Sequence, residues 1–94
     1  MEWNTNLPPH EHWVNVTVEY TYICNITGCE NLSFSKRFTS QARYDIGKNC
    51  WITPYLILGL SDHIPIDGLT KEDGRCTRTL SILGWLDVPA PMVK

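Results

Sequence analysis

Neither acidic nor basic residues strongly outnumber the other in this 94-residue chain. Eight Lys and Arg face ten Asp and Glu, a formal net charge of −2. The basic residues are scattered, so the chain has no electrostatic footprint for nucleic acid or an anionic membrane. Long apolar runs are missing too, and none approaches the roughly 20 residues a membrane-spanning helix needs. The opening Met1-Glu2-Trp3-Asn4-Thr5-Asn6 lacks the charged and apolar regions of a signal peptide, so a cytoplasmic location is the expectation. No internal repeat, linker or low-complexity tract is visible. A hydrophobic fraction of 43% argues against disorder. The reading is one small domain, 1–94, with a single modest core.

What the chain does have is alternation. From Trp13 to Cys24, Val14, Val16, Val18, Tyr20 and Tyr22 alternate with Asn15, Thr17, Glu19 and Thr21. Successive strand side chains point to opposite faces, so this run makes a long strand with one apolar and one polar face. A turn centred on Gly28 follows, and then residues 31–46 keep one parity. Leu32, Phe34, Phe38, Ala42, Tyr44 and Ile46 fall on the apolar side. Lys36 and Ser40 interrupt that side, which predicts a bulge or bend there. A second turn at Gly47-Lys48-Asn49 leads to a short strand, Cys50-Trp51-Ile52-Thr53, ended by Pro54. Tyr55 to Leu60 is apolar throughout and is expected to be buried, as a strand or one short helix between 54 and 64. Residues 61–79 carry Pro65, Asp67-Gly68 and Asp73-Gly74 and read as a long surface loop. Leu80 to Val88 is the last strand.

The expected fold is mainly β, with α+β as the variant. It is a small antiparallel sheet of about four strands with at most one short helix. Extended Pro-rich arms flank it, 1–12 with Pro8-Pro9 and a C-terminal one with Pro89-Ala90-Pro91. The N-terminal arm is expected to lie across the sheet and anchor through Trp3 and Leu7.

With these elements placed, the ends of the chain resemble a known family. Met1-Glu2-Trp3, Leu7-Pro8 and a Val-x-Val-x-Val strand are followed by Ala42-Arg43-Tyr44-Asp45, Cys50-Trp51 and Gly84-Trp85-Leu86-Asp87-Val88-Pro89-Ala90-Pro91. This order is similar to that of domain of unknown function 551, a family of small phage and prophage proteins. Gly84 stands where that family has His, and Val88 where it has Leu. The resemblance implies a phage accessory protein made in bacterial cytoplasm, and it brings no catalytic residues.

Several constellations invite chemistry. Zinc would draw on Cys24 and Cys29, with Cys50 and Cys76, or His10, His12 and His63, to complete the site. Structural zinc wants two closely spaced ligand pairs, and only Cys24 and Cys29 are close. Isolated cysteines in a reducing compartment are more often small buried hydrophobes, so no cofactor is expected. A cysteine–histidine nucleophile has no local signature here, and no enzyme activity is expected. Asp73-Gly74-Arg75-Cys76-Thr77-Arg78 sets two arginines beside a glycine turn that could hold a phosphate, although a solvated loop is the simpler reading. Four tryptophans and four tyrosines exceed what a small core needs. Trp51 and Trp85 suit the core, while Trp3 or Trp13 is expected to stay partly exposed.

These readings favour a non-enzymatic protein that binds and inhibits a host protein, with a host defence component as the specific case and Asp73, Arg75, Arg78, Trp3 and Trp13 as contact residues. One alternative is a sponge for a nucleotide second messenger, held by Arg75, Arg78 or Arg43 with Tyr44 as the stacking ring. The other is a secreted disulfide-stabilised domain, for which four cysteines and the sequons at Asn15, Asn25 and Asn31 speak. Unpaired edges of long strands make a homodimer compatible with the fold.

Overall fold

The computed structural model describes residues 3–8 and 11–87. Among these there is no α-helix. Six strands, β1 (Trp13–Cys24), β2 (Phe34–Asp45), β3 (Cys50–Ile57), β4 (Ser61–Pro65), β5 (Leu69–Glu72) and β6 (Cys76–Asp87), form one antiparallel sheet. Its order is β4-β3-β2-β1-β6-β5, and it curls into a nearly closed, barrel-like shape.

β1 is the central strand, as its alternation requires. It pairs with β2 from Trp13↔Arg43 to Tyr22↔Phe34 and with β6 from Val14↔Asp87 to Cys24↔Cys76. Val14, Val16 and Val18 have no exposed surface, while Asn15, Thr17 and Glu19 on the other face are half-buried. The inner face continues through Ala42 and Tyr44 of β2, Trp51 and Ile57 of β3, Ile64 of β4, and Leu80 and Trp85 of β6.

Four expectations are corrected. The strand count is six rather than about four, because residues 61–79 are not a loop. They hold β4, β5 and the first four residues of β6. Short strands with mixed polarity carry little periodic signal, and the Asp67-Gly68 and Asp73-Gly74 turns that separate them dominate the pattern. The third strand does not end at Pro54, and of the two forms open to 54–64 the segment takes the strand. β3 continues through Pro54 to Ile57 because the β2 pairing stops at Ile52 and the β4 register breaks between Ile52 and Ile57, so Pro54 meets no ladder that needs its N–H.

Nor is 55–60 uniformly buried. Ile57 and Leu60 enter the core, whereas Tyr55, Leu56 and Leu58 are exposed at a hairpin tip. Finally, β2 runs beside β1 without a bulge. Ser40 sits buried opposite Val16 and its hydroxyl lies 3.1 Å from that of Tyr55, while the Lys36 ammonium lies 6.0 Å from the centre of the Tyr20 ring.

The bulge lies in β6. Gly84 pairs with Thr17 and Ile82 with Val18, leaving Leu83 over. One extra residue reverses the parity of everything after it. Trp85 thereby joins Leu80 and Ile82 on the inner face, opposite Val16.

The N-terminal arm docks on the free edge of β6. Asn4 N–H donates to Trp85 O at 2.9 Å, Trp85 N–H donates to Asn4 O at 2.8 Å, and the Trp85 indole N–H donates to Asn6 O at 2.7 Å. Trp85 is thus the anchor that the sequence reading sought in Trp3 and Leu7, which remain partly exposed at 38% and 44%. Beside the docked arm, Leu7, Trp51, Ile66, Ile82 and Trp85 help line a cavity of about 240 Å³. The Pro89-Ala90-Pro91 arm lies outside the described residues.

Candidate functional site

The pairing of β2 with β3 is confined to Arg43–Asp45, so the rest of β2 has only β1 beside it. The β3–β4 tip folds back over the inner face as far as Ser40, where the Tyr55 hydroxyl meets it. Beyond that level the inward side of β1, β2 and β6 forms one open end of the barrel. Tyr20, Tyr22 and Cys24 of β1 share that side with Phe34 and Lys36 of β2 and with Cys76 and Arg78 of β6.

Cross-strand and diagonal neighbours on one face are close enough for rings to meet. Tyr22 stacks on Phe34, with ring centres 5.6 Å apart and planes 22° apart, and Tyr20 meets the same ring edge-on at 5.8 Å. Phe34 keeps half its surface exposed. Leu32 on the adjoining 3₁₀ turn (Glu30–Leu32) is exposed as well.

The opposite rim is built by the β5–β6 turn. Asp73 Oδ1 accepts the N–H of Arg75 and of Cys76, each at 2.9 Å, which fixes the turn around Gly74 at φ 85°. Those bonds hold the Asp73 carboxyl below the usual carboxylate range. Burial pushes the Cys76 thiol up, and the Asp73 carboxylate, both oxygens 3.5 Å from the sulfur, adds to this. Burial, followed by the two cysteines, likewise raises the Tyr22 phenol. Arg78 has its Nε buried with no hydrogen-bond partner.

The sequence-predicted residues fall into separate places. Asp73, Arg75 and Arg78 stand together at the open end. Arg43 and Trp13 lie at the far end of β1, whose 12 residues extend over roughly 40 Å along the strand. There the Arg43 guanidinium lies 6.0 Å from the Trp13 ring centre. Tyr44 is 2% exposed, packed edge-on against Trp51 and donating its hydroxyl to Asn49 Oδ1 at 3.2 Å, so its ring offers no platform for a base. Trp3 covers Gly84 on the outer face, beside Thr17 and Arg37. Trp3 and Trp13 are the partly exposed tryptophans, and Trp51 and Trp85 are in the core, as the sequence suggested.

The cysteines also divide. Cys24 and Cys76 are register partners at the open end, Cys29 lies in the β1–β2 turn, and Cys50 pairs with Asp45 and Pro65 at the other end of the sheet. Among the described residues no three His, Cys, Asp or Glu side chains gather as a metal site. His63 Nδ1 lies 2.8 Å from Asp62 Oδ1 on β4, both side chains about half exposed, and His10 lies outside the described residues. No helix among the described residues is long and apolar enough to cross a membrane.

Sequence reasoning missed Phe34, Leu56 and Leu58 as surface residues. Phe34 carried an apolar parity, and Leu56 and Leu58 lay in an uninterrupted apolar run; both signals ordinarily mean core. The early end of the β2–β3 pairing leaves Phe34 uncovered, and the place of Leu56 and Leu58 at the hairpin tip exposes them.

No family model, no curated protein and no solved structure matches this chain. The resemblance to domain of unknown function 551 therefore stands on the short motifs quoted above.

Proposed function

We propose that this chain is a non-enzymatic binding protein whose contact surface is the open end of its barrel. The observation that carries this reading is the exposed aromatic and aliphatic set at that end. Phe34 is 50% exposed, and Tyr55 and Leu56 of the β3–β4 tip are 57% and 56% exposed. Aromatic side chains on a rigid sheet bury much area at little entropic cost, which is how protein interfaces concentrate their energy.

A second sign is Leu58. It holds φ 50° at the first central position of the tip turn, followed by Gly59 at φ 71°, with Leu60 N–H donating to Ile57 O at 2.8 Å. Asn or Gly ordinarily fills that position. A bulky residue kept in a strained conformation and exposed to water breaks a local rule with no structural gain, as functional residues do.

In this reading the partner is a protein of the bacterial host and the chain is a phage accessory protein that inhibits it, a defence component being the specific case. A photo-crosslinking residue at Phe34, in protein produced in bacterial cells, should yield one covalent adduct of defined mass. The same residue at exposed, outward-facing Thr39 should not. Equal, diffuse labelling from both positions would remove the reading.

One observation favours a second reading, the nucleotide sponge. The unpartnered Nε of Arg78 lies on the same face as the Tyr22–Phe34 stack, a cation beside a ring platform. Here Phe34 takes the part first given to Tyr44. Thermal unfolding against a nucleotide panel separates the two readings, because a ligand bound only to the native state raises the midpoint.

A further inference from the structure

We infer that Cys24 and Cys76 are a disulfide-forming pair that clamps the open end of the barrel. The two residues face each other across β1 and β6 on the inner face. Asn25 N–H donates to Arg75 O at 2.7 Å, one residue beyond the pair. In an antiparallel ladder that bond makes 25 and 75 a hydrogen-bonded pair and Cys24 and Cys76 a non-hydrogen-bonded one. Such pairs bring their Cα atoms to about 4.5 Å and their side chains closest together, inside the range a disulfide spans. Neither of the other cysteines has this relation. Cys29 is held in the β1–β2 turn by its N–H to Ile26 O, and Cys50 stands opposite Asp45 and Pro65.

Both thiols are free and almost wholly buried in the structure. Their oxidation needs an external disulfide of low molecular weight. One protein thiolate attacks it, forming a mixed disulfide and releasing one thiol. The second protein thiolate then attacks the protein sulfur of that mixed disulfide and releases the other thiol. Two cysteines are oxidised, one external disulfide is reduced, and the two thiol protons go to the released thiolates. The bridge closes a loop of about fifty residues that contains β2 to β5 and so fixes the relative position of the aromatic rim on β1–β2 and the Arg75 turn. It also turns the Cys76 sulfur from a hydrogen-bond donor to Asp73 into a non-donor.

The test is to incubate the folded, reduced full chain with oxidised glutathione and follow intact mass, non-reducing peptide maps and thermal unfolding. The expected result is a loss of about 2 Da, for the two hydrogens removed. A single Cys24–Cys76 cross-linked peptide and a midpoint raised on the order of 10 °C should accompany it. The variant with both Cys29→Ser and Cys50→Ser should behave identically, and Cys24→Ser should retain a glutathione adduct instead of losing two hydrogens. Two results overturn the inference. One is a bridge that maps to Cys29 or Cys50 in the native chain. The other is a double variant that, while folded by circular dichroism, never loses two hydrogens.

Discussion

A Cβ placed on Gly84 would meet the main-chain oxygen of Asn4 at 2.9 Å and the Trp3 Cβ at 3.0 Å. The arm therefore reaches β6 only because position 84 has no side chain. Gly84→Ala should push the arm off its edge while leaving the Thr17↔Gly84 register in place. The arm contributes three hydrogen bonds through Trp85, each worth about 1 kcal/mol net, against the entropy of ordering it. A destabilisation of about 1–3 kcal/mol in urea unfolding is expected, with a red-shifted tryptophan emission as Trp85 loses its cover. An unchanged emission spectrum and midpoint would mean that the arm tolerates the methyl group.

The Leu83 bulge is the second such device. Inserting one residue between Gly84 and Trp85 keeps the Leu83 bulge but turns Trp85 toward the outer face. Trp85 is 6% exposed, and removing a buried tryptophan from a core costs about 3–5 kcal/mol, a large part of the stability of a small domain. The insertion variant should unfold at markedly lower denaturant and lose the arm contacts. Retained stability with Trp85 still protected from quenching would show that the ladder shifts elsewhere.

Why the centre of this fold is legible in the sequence and its margins are not follows from these two devices. β1 is central, with one face in the core, and its parity in Val14, Val16 and Val18 carries directly into burial. β6 hides its second half because one extra residue moves Trp85 from the face its parity assigns to the opposite one. β4 and β5 are too short and too polar to show a period, and they lie between turn signals that are themselves real: Gly68 has φ 93° and Gly74 φ 85°. Of the site, Asp73, Arg75 and Arg78 could be picked out because charge beside a glycine turn is unusual. Tyr22 and Phe34 could not, because an apolar residue of core parity gives no sign that its strand outruns the strand meant to cover it.

Phe34 tests whether the open end is used for binding or for stability. It packs on Tyr22 and Tyr20 but remains half-exposed, so Phe34→Ala should cost only about 1 kcal/mol of folding stability. The partner captured by crosslinking should lose affinity by at least tenfold, the effect of about 1.4 kcal/mol at a contact. Arg75→Ala and Arg78→Ala should weaken the same complex. A variant set with intact affinity would move the interface elsewhere on the molecule.

Leu58 separates stability from function with one substitution. Its left-handed backbone, φ 50°, costs a non-glycine, non-Asn residue about 1 kcal/mol or more. Leu58→Asn fits the same turn and should stabilise the fold by about 0.5–1 kcal/mol, read as a raised midpoint. The same variant should bind its partner more weakly, because the exposed leucine is gone. If binding is retained in full, the strain at Leu58 has no functional counterpart.

Asp73 and Cys76 set opposite limits on stability with pH. The Asp73 carboxyl is held low first by the Cys76 N–H, then by the Arg75 N–H and the Cys76 thiol. Its native pKa lies below the unfolded value of about 3.9, so its contribution is complete above that pH and is lost as pH falls through the native value. Cys76 is shifted the other way by burial and by the Asp73 carboxylate. Its contribution is complete below the unfolded thiol value of about 8.5 and is lost as pH rises through the higher native one. Asp73→Asn keeps an acceptor for both N–H groups but removes the charge. In that variant the acid limb of the stability profile should flatten, and alkylation of Cys76 at pH 8, followed by peptide mapping, should run several-fold faster because more thiolate is present. An alkylation rate equal to that of the parent chain would show that burial alone protects this thiol.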